Sequence, residues 1–183
     1  MNIFFCDIQG TFSGDEKTRN EDLKKFINNL LKIIEVDNLE NLNISFITTG
    51  PIVLLKQAIT DLIPLLEGIK ITLGEQLCDK YIILNSNLFE HRFKAKSDQI
   101  LALIKKHKPK KVYYAEDNQI NQLITSQIIN KTYPNIKYVG FLPGTSINHP
   151  NIYCGSDRNI AGLNQALESY HQQLEKTILK TIN

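Results

Sequence analysis

The chain has 183 residues, of which 42% are hydrophobic, and its formal net charge is +2 at pH 7. This length can bury one sizeable core, so we expect a single domain spanning residues 1–183. The small net charge does not favour nucleic acid or a membrane surface, and neither is expected as a partner.

No segment carries an export or membrane signal. The N-terminus lacks the basic region, long apolar stretch and cleavage site of a signal peptide, and no run reaches the roughly 18 apolar residues of a membrane span. The cysteines, Cys6, Cys78 and Cys154, are scattered without metal-ligand spacing. We therefore expect a cytoplasmic protein, while delivery elsewhere by a non-classical signal stays open.

Short β-branched runs alternate with longer helical ones, which is typical of βα units around a mostly parallel sheet. The predicted strands are Ile3 to Asp7, Ile44 to Thr48, Ile69 to Leu73, Tyr81 to Leu84, Lys111 to Ala115, Lys137 to Leu142 and a small one at Ile152 to Cys154. The predicted helices are Asn20 to Val36, Ile52 to Leu66, Lys96 to His107, Gln119 to Lys131 and a last one, capped by Asp157, that runs to Ile182. The pattern predicts a Rossmannoid three-layer α/β/α fold with about five strands.

Polar residues follow the apolar runs, at the positions where such a sheet places its functional side chains. In chain order they are a carboxylate, hydroxyls, an ammonium and an acidic pair. Carboxylates and cations of these kinds can attack a phosphoryl group, hold its oxygens and bind Mg²⁺. The residues are Asp7, Thr48 with Thr49, Lys96 at the start of a predicted helix, and Glu116 with Asp117.

These motifs resemble those of the haloacid dehalogenase (HAD) superfamily. "FFCDIQGT" is similar to that family's first motif, an apolar strand running into Asp-x-Asp-Gly-Thr, and "ISFITTG" to its second. "KSDQILALI" and "VYYAEDNQIN" are similar to its third and fourth. The match covers residue 3 to about residue 121. A receiver domain uses some of the same parts in another order, which argues against that fold.

The resemblance implies a role for each matching residue. Asp7 would be the nucleophile that forms an aspartyl-phosphate. The acidic pair, Glu116 and Asp117, would help Asp7 to bind Mg²⁺, together with the backbone carbonyl of Gln9. Asp117 is also placed to cap the following helix.

The same resemblance implies a phosphate site. Lys96 would neutralise the phosphoryl charge, with Lys94 as the alternative. Thr48 would hydrogen-bond a transferring oxygen, unless Thr49 is the aligned residue. Gly10 would allow a sharp turn below the phosphate, and Thr11 would brace it.

Gln9 departs from the family's phosphatases, which have a second Asp there as general acid and base. A carboxamide cannot do this work, which is usually worth about 10²–10⁴-fold in rate. The loss matters most for alkoxide leaving groups and less for a phenolate, whose conjugate acid has a pKa near 10. Gln9 therefore favours aryl phosphates, with phosphotyrosine the natural one, or acyl and anhydride phosphates.

The segments between the motifs are too short for a full cap domain, so we expect a minimal cap and an open site. Family members with open sites act on macromolecules such as phosphoproteins, which makes a phosphorylated protein the expected partner. A homo-oligomer could supply a lid. The alternatives are a catalytically degenerate HAD-like binding or adaptor module and a small-metabolite phosphatase.

Overall fold

The computed structural model describes residues 2–48, 51–78 and 89–182. Among them it has seven strands: β1 Ile3–Asp7, β2 Leu42–Thr48, β3 Ile71–Leu73, β4 Leu77–Cys78, β5 Lys111–Ala115, β6 Lys137–Pro143 and β7 Ile152–Gly155. The helices are α1 Arg19–Val36, α2 Ile52–Leu62, α3 Phe89–His107, α4 Gln119–Thr132 and α5 Ile160–Ile182. A short 3-10 helix, Ile63–Leu65, extends α2.

All strand pairs are parallel, and the order across the sheet is β3-β2-β1-β5-β6-β7. The short strand β4 also pairs with β2, beyond the end of β3. The predicted Rossmannoid α/β fold is confirmed, although the sheet has seven strands and not about five. The chain steps outward from β1 to β2 and β3, then returns to the other side at β5. The carboxyl ends of β1 and β5 therefore flank the switch point of the sheet, where open α/β folds place their sites.

Helices cover both faces of the sheet. One core cluster joins α1, α2 and α5 to one face, and a second joins α3 and α4 to the other. Because both faces are covered, the strands read as nearly continuous apolar runs, as "IFFCD" does in β1. Within the described residues, no helix is long and apolar enough to cross a membrane.

Two helix boundaries differ from the prediction. Helix α3 begins at Phe89, so Lys96 lies well inside it and not at its start. Pro64 ends the α-helical part of the second helix early, because proline lacks the N–H that an α-helical turn needs. The predicted strand at Tyr81 to Leu84 lies outside the described residues.

The cap of α5 is also different. Asn159, and not Asp157, accepts the hydrogen bond from a first-turn amide, that of Gly162, at 3.0 Å. Asp157 instead accepts a hydrogen bond from the Ser156 hydroxyl. The capping rule predicted the right kind of side chain two residues too early.

A polar cluster joins helices to the sheet at the amino ends of the strands. Asp37, just past α1, accepts hydrogen bonds from the hydroxyls of Tyr113 at 2.5 Å and Tyr170 at 2.7 Å. It also forms an ion pair with Lys111. Burial alone would raise the pKa of Asp37, but these hydrogen bonds outweigh it and lower the pKa below its usual value. The cluster ties α1, β5 and α5 together.

Candidate active site

A buried ion-pair cluster lies where β1 and β5 end. Asp7 is the last residue of β1, and Glu116 directly follows β5. Lys96 of α3 reaches both, with Nζ 2.9 Å from Asp7 Oδ1 and 2.8 Å from Glu116 Oε2. The side chain of Asp7 is only 5% exposed, that of Glu116 1% and that of Lys96 9%. Buried charges are tolerated when paired in this way, so each member depends on the others.

Glu116 has partners on both of its oxygens. Its Oε2 accepts hydrogen bonds from Lys96 and, at 2.6 Å, from the Tyr114 hydroxyl. Its Oε1 accepts one from the Asn118 amide at 3.1 Å. Asn118 in turn caps α4 through its own side chain, which binds the amides of the first turn. The cap is therefore not Asp117, whose carboxylate remains at the site.

Asp117 leans over the loop that follows β1. Gly10 has a φ of 71°, and a Cβ added there would lie 2.7 Å from Asp117 Cγ. Only glycine allows both this backbone conformation and this close approach. Arg158, from the segment between β7 and α5, donates from Nε to Asp117 Oδ2 at 2.9 Å, and its Nη2 contacts the same oxygen.

The electrostatics of the cluster favour binding of positive charge. Burial and the neighbouring Glu116 raise the pKa of Asp7 to about 8, against the opposing effect of Lys96. Burial alone would lower the pKa of Lys96, but Glu116 and Asp7 outweigh it and raise the pKa above its usual value. Lys96 is therefore an ammonium at neutral pH, and a further positive charge beside Asp7 would favour the ionised form of its carboxyl group.

The donor set fits a small divalent cation. One oxygen from each of Asp7, Glu116 and Asp117 lies within 4.8 Å of the other two. Mg²⁺ takes oxygen ligands at about 2.0–2.1 Å, so carboxylates this close need only small movements to share an ion. Because both oxygens of Glu116 already accept hydrogen bonds, Asp7 and Asp117 have more capacity left for a ligand role.

The loop after Asp7 carries a further feature of a ligand site. The Thr11 side chain is fully buried, and its hydroxyl has no hydrogen-bond partner among the described residues. Backbone bonds from the amides of Phe12 and Ser13 to the Ile8 carbonyl hold the turn, each at 3.0 Å. A buried hydroxyl without a partner costs free energy, so this position suits a bound oxygen or water.

The other predicted residues are distributed as follows. Thr48 is buried at the carboxyl end of β2, beside β1. Gln9 is exposed at the mouth of the site. Thr49 and the side chain of Lys94 lie outside the described part of the chain.

An open cleft of about 610 Å³ adjoins Gln9 and Gly10. Its walls combine apolar side chains, including Phe12 and Leu54, with polar ones. Arg19 closes one side through an ion pair with Asp61 at 2.6 Å. The cleft leaves open space beside the loop that follows Asp7.

Two contributors could not be found by motif. Arg158 follows Asp117 by more than 40 residues and lies in "SDRN", which has no distinctive pattern. Tyr114 reads as an ordinary β-former, although its position two residues before Glu116, which directly follows β5, lets both side chains lie on the same side and meet. That period-two spacing was the available signal.

In comparisons with known proteins, no protein-family model matches the chain, and no curated protein matches it. The chemistry of the site therefore rests on its own residues.

Proposed function

We propose that the chain is a Mg²⁺-dependent phosphatase of HAD type that forms an aspartyl-phosphate on Asp7. The observation that carries the proposal is the Asp7–Lys96–Glu116 cluster with Asp117 beside it, at the switch point of a parallel sheet. Four residues named from motif order converge at one point. The usual alternative for buried ion pairs, a purely structural role, does not account for the cleft beside Gln9.

Asp7 is the group placed to attack. Lys96 donates to Oδ1 of its carboxylate. The carboxylate oxygen would bond to phosphorus while the bond from phosphorus to the leaving oxygen breaks. Lys96 would neutralise charge on the transferring oxygens, and Glu116 fixes the ammonium in place.

A divalent cation would be held by Asp7 and Asp117, with the Gln9 carbonyl as a third ligand. When bound, it supplies positive charge that keeps Asp7 ionised and draws in a phosphate dianion. The positive charge of Lys96 alone does not keep Asp7 ionised at neutral pH, because the pKa of Asp7 stays at about 8 beside it. Glu116, with its oxygens occupied, is better placed to position Lys96 than to bind the ion.

Gln9 and the adjoining cleft define the substrate class that we propose, an aryl phosphate on a macromolecule, with phosphotyrosine as the leading case. Without a general acid, the leaving oxygen departs as an anion and takes its proton from solvent. An aryl group fits the apolar wall that includes Leu54, which is 38% exposed. Water then cleaves the aspartyl-phosphate, and Gln9 can orient that water without taking its proton, so turnover is slow.

The second candidate function is a binding or adaptor module with the same fold. The exposed Gln9 favours it, because the acid and base of a phosphatase are absent there. Such a module would bind a phosphorylated partner at Lys96 and release it unchanged.

Hydrolysis of p-nitrophenyl phosphate, with and without Mg²⁺, separates the two candidates. We expect metal-dependent activity that Asp7→Asn abolishes, while the control Asp15→Asn, an exposed carboxylate of the same loop, leaves it unchanged. Gln9→Asp should raise activity on alkyl phosphates more than on this aryl phosphate. Activity that survives Asp7→Asn would refute the aspartyl-phosphate. An inactive native protein that Gln9→Asp activates would favour the binding module.

A further inference from the structure

Arg158 makes a contact with the acidic cluster that the proposed reaction does not use. Its guanidinium donates from both Nε and Nη2 to a single oxygen, Asp117 Oδ2. The Arg158 side chain is 67% exposed, whereas that of Asp117 is 8% exposed. The carboxylate is thus mostly buried, while the arginine reaches it from solvent.

The backbone near Arg158 is arranged to bring it there. Gly144 has a φ of 81°, and a Cβ added at Gly144 would lie 3.0 Å from Arg158 Cβ and 3.1 Å from its Cα. The Gly144 amide also donates to the Gly155 carbonyl at 2.8 Å, which joins the segments that follow β6 and β7. A side chain at position 144 would push Arg158 away from the site, so its position depends on this glycine.

Arg158 changes the charge of the cluster substantially. Asp7, Glu116 and Asp117 contribute three carboxylates, and Lys96 contributes one positive charge. When all three carboxylates are ionised, Arg158 reduces the net charge from −2 to −1. A monovalent cation of the protein itself thus occupies the carboxylate on which the proposed divalent cation depends.

We propose that Arg158 is a positioning residue that holds Asp117 when no divalent cation is bound and lowers the affinity of the cluster for that cation. The inference rests on the proposed function. A cation that binds Asp117 Oδ2 must displace the guanidinium from that oxygen. A cation that binds Oδ1 lies within a few ångströms of its positive charge. Arg158 therefore opposes the cation in either geometry.

The exposure of Arg158 makes this opposition reversible. A largely solvated side chain can rotate away without leaving a cavity in the core. The arriving cation then replaces the positive charge beside the mostly buried Asp117, so the carboxylate is not left uncompensated. The cation then competes against a modest contact, and the site keeps Asp117 oriented for it in the meantime.

Binding of Mn²⁺ as a probe for Mg²⁺ tests the inference without any enzymatic readout. The free ion is followed by electron paramagnetic resonance at low ionic strength, for the native chain, Arg158→Gln and Arg158→Lys. We expect Arg158→Gln, which keeps a donor but loses the charge, to bind Mn²⁺ about three- to tenfold more tightly. Arg158→Lys should remain within about twofold of the native chain.

Two controls locate the effect. Lys106→Met removes another exposed ion pair, with Glu75, and should leave Mn²⁺ affinity unchanged. In an Asp117→Asn background, Arg158→Gln should have no further effect. Circular dichroism checks that each variant is folded.

The outcomes separate this inference from the function on which it rests. Tighter binding in Arg158→Gln alone, lost in the Asp117→Asn background, supports the role of Arg158. Binding that needs Asp7 and Asp117 but is unchanged or weaker in Arg158→Gln overturns the inference and leaves the metal site intact. Absence of Mn²⁺ binding in the native chain and in Arg158→Gln overturns both.

Discussion

Removing the ammonium of Lys96 is the most direct test of the buried cluster. Lys96 is 7% exposed and is within hydrogen-bonding distance of Asp7 and Glu116, which are 4% and 1% exposed. Lys96→Met keeps most of the side-chain volume while leaving two buried carboxylates without their cation. Breaking a buried ion pair by removing one partner costs about 3–5 kcal/mol. We expect a loss of that size in the free energy of unfolding at pH 8.

The loss should depend on pH in a definite direction. The pKa of Asp7 is already raised to about 8 in the native chain. Lys96 opposes that rise, so without it the pKa of Asp7 rises further and the folded variant holds more protons near pH 8 than the native chain does. Its stability deficit then shrinks as pH falls, by at most about 1.4 kcal/mol per pH unit for one extra proton. The deficit should therefore be smaller at pH 6 than at pH 8.

Urea denaturation followed by circular dichroism at pH 6, 7 and 8, with chelator present, measures this deficit. The control Lys25→Met removes an exposed ion pair with Glu168 and should cost at most about 1 kcal/mol at every pH. If Lys96→Met lowers the free energy of unfolding no more than Lys25→Met does, and the loss does not change with pH, then Lys96 does not compensate buried carboxylates.

Three further variants test other parts of the structure. Gly10→Ala forces a side chain into the left-handed region and against Asp117, so we expect about 1–3 kcal/mol lower stability by urea denaturation, and Mn²⁺ binding at least about tenfold weaker; native-like binding would contradict the role of the close approach. Asp37→Asn leaves Lys111 without its carboxylate and should cost about 3–5 kcal/mol at pH 7. Because the pKa of Asp37 is lowered, the loss of stability in the variant should be complete above about pH 4 and should vanish as pH falls through that lowered pKa. Denaturation at pH 2–7 would show this, and a loss that stays constant with pH would contradict it. Gln122→Leu removes the donor that bridges the Tyr114 and Phe141 carbonyls and should cost about 2–4 kcal/mol in the same assay, whereas a neutral effect would mean that water replaces the amide.

The parallel sheet could be predicted because its strands and helices differ in apolar period, as the run at β1 and the spacing in α1 show. The extent of α3 was predicted too short, although Phe89 and Phe93 lie four residues apart and so carry a helical signal. Asp7 and Glu116 were singled out because strand ends converge at one edge of such a sheet, and Lys96 from the order of the motifs; the structure brings the three side chains together.

The contact of Arg158 could not be predicted from motifs or apolar periodicity. Its contact with Asp117 depends on the path of two loops and on the space left by Gly144, neither of which has a periodic signature. The cap at Asn118 in place of Asp117 was a choice between neighbours with equal capping preference. Such choices are made by tertiary packing, which local patterns do not contain.

The paired tyrosines of β5 have a consequence for how the chain folds. In "KVYYA" every residue is buried, so hydrophobicity barely distinguishes one face of this parallel strand from the other. The hydroxyls do distinguish them, because Tyr113 meets Asp37 and Tyr114 meets Glu116. A slip of one residue in the register would exchange the positions of the two rings, and both acids would lose their hydrogen-bond donors. The two acids therefore help to specify the register of β5, and a chain that pairs β5 out of register would also lose the contact between Glu116 and Lys96.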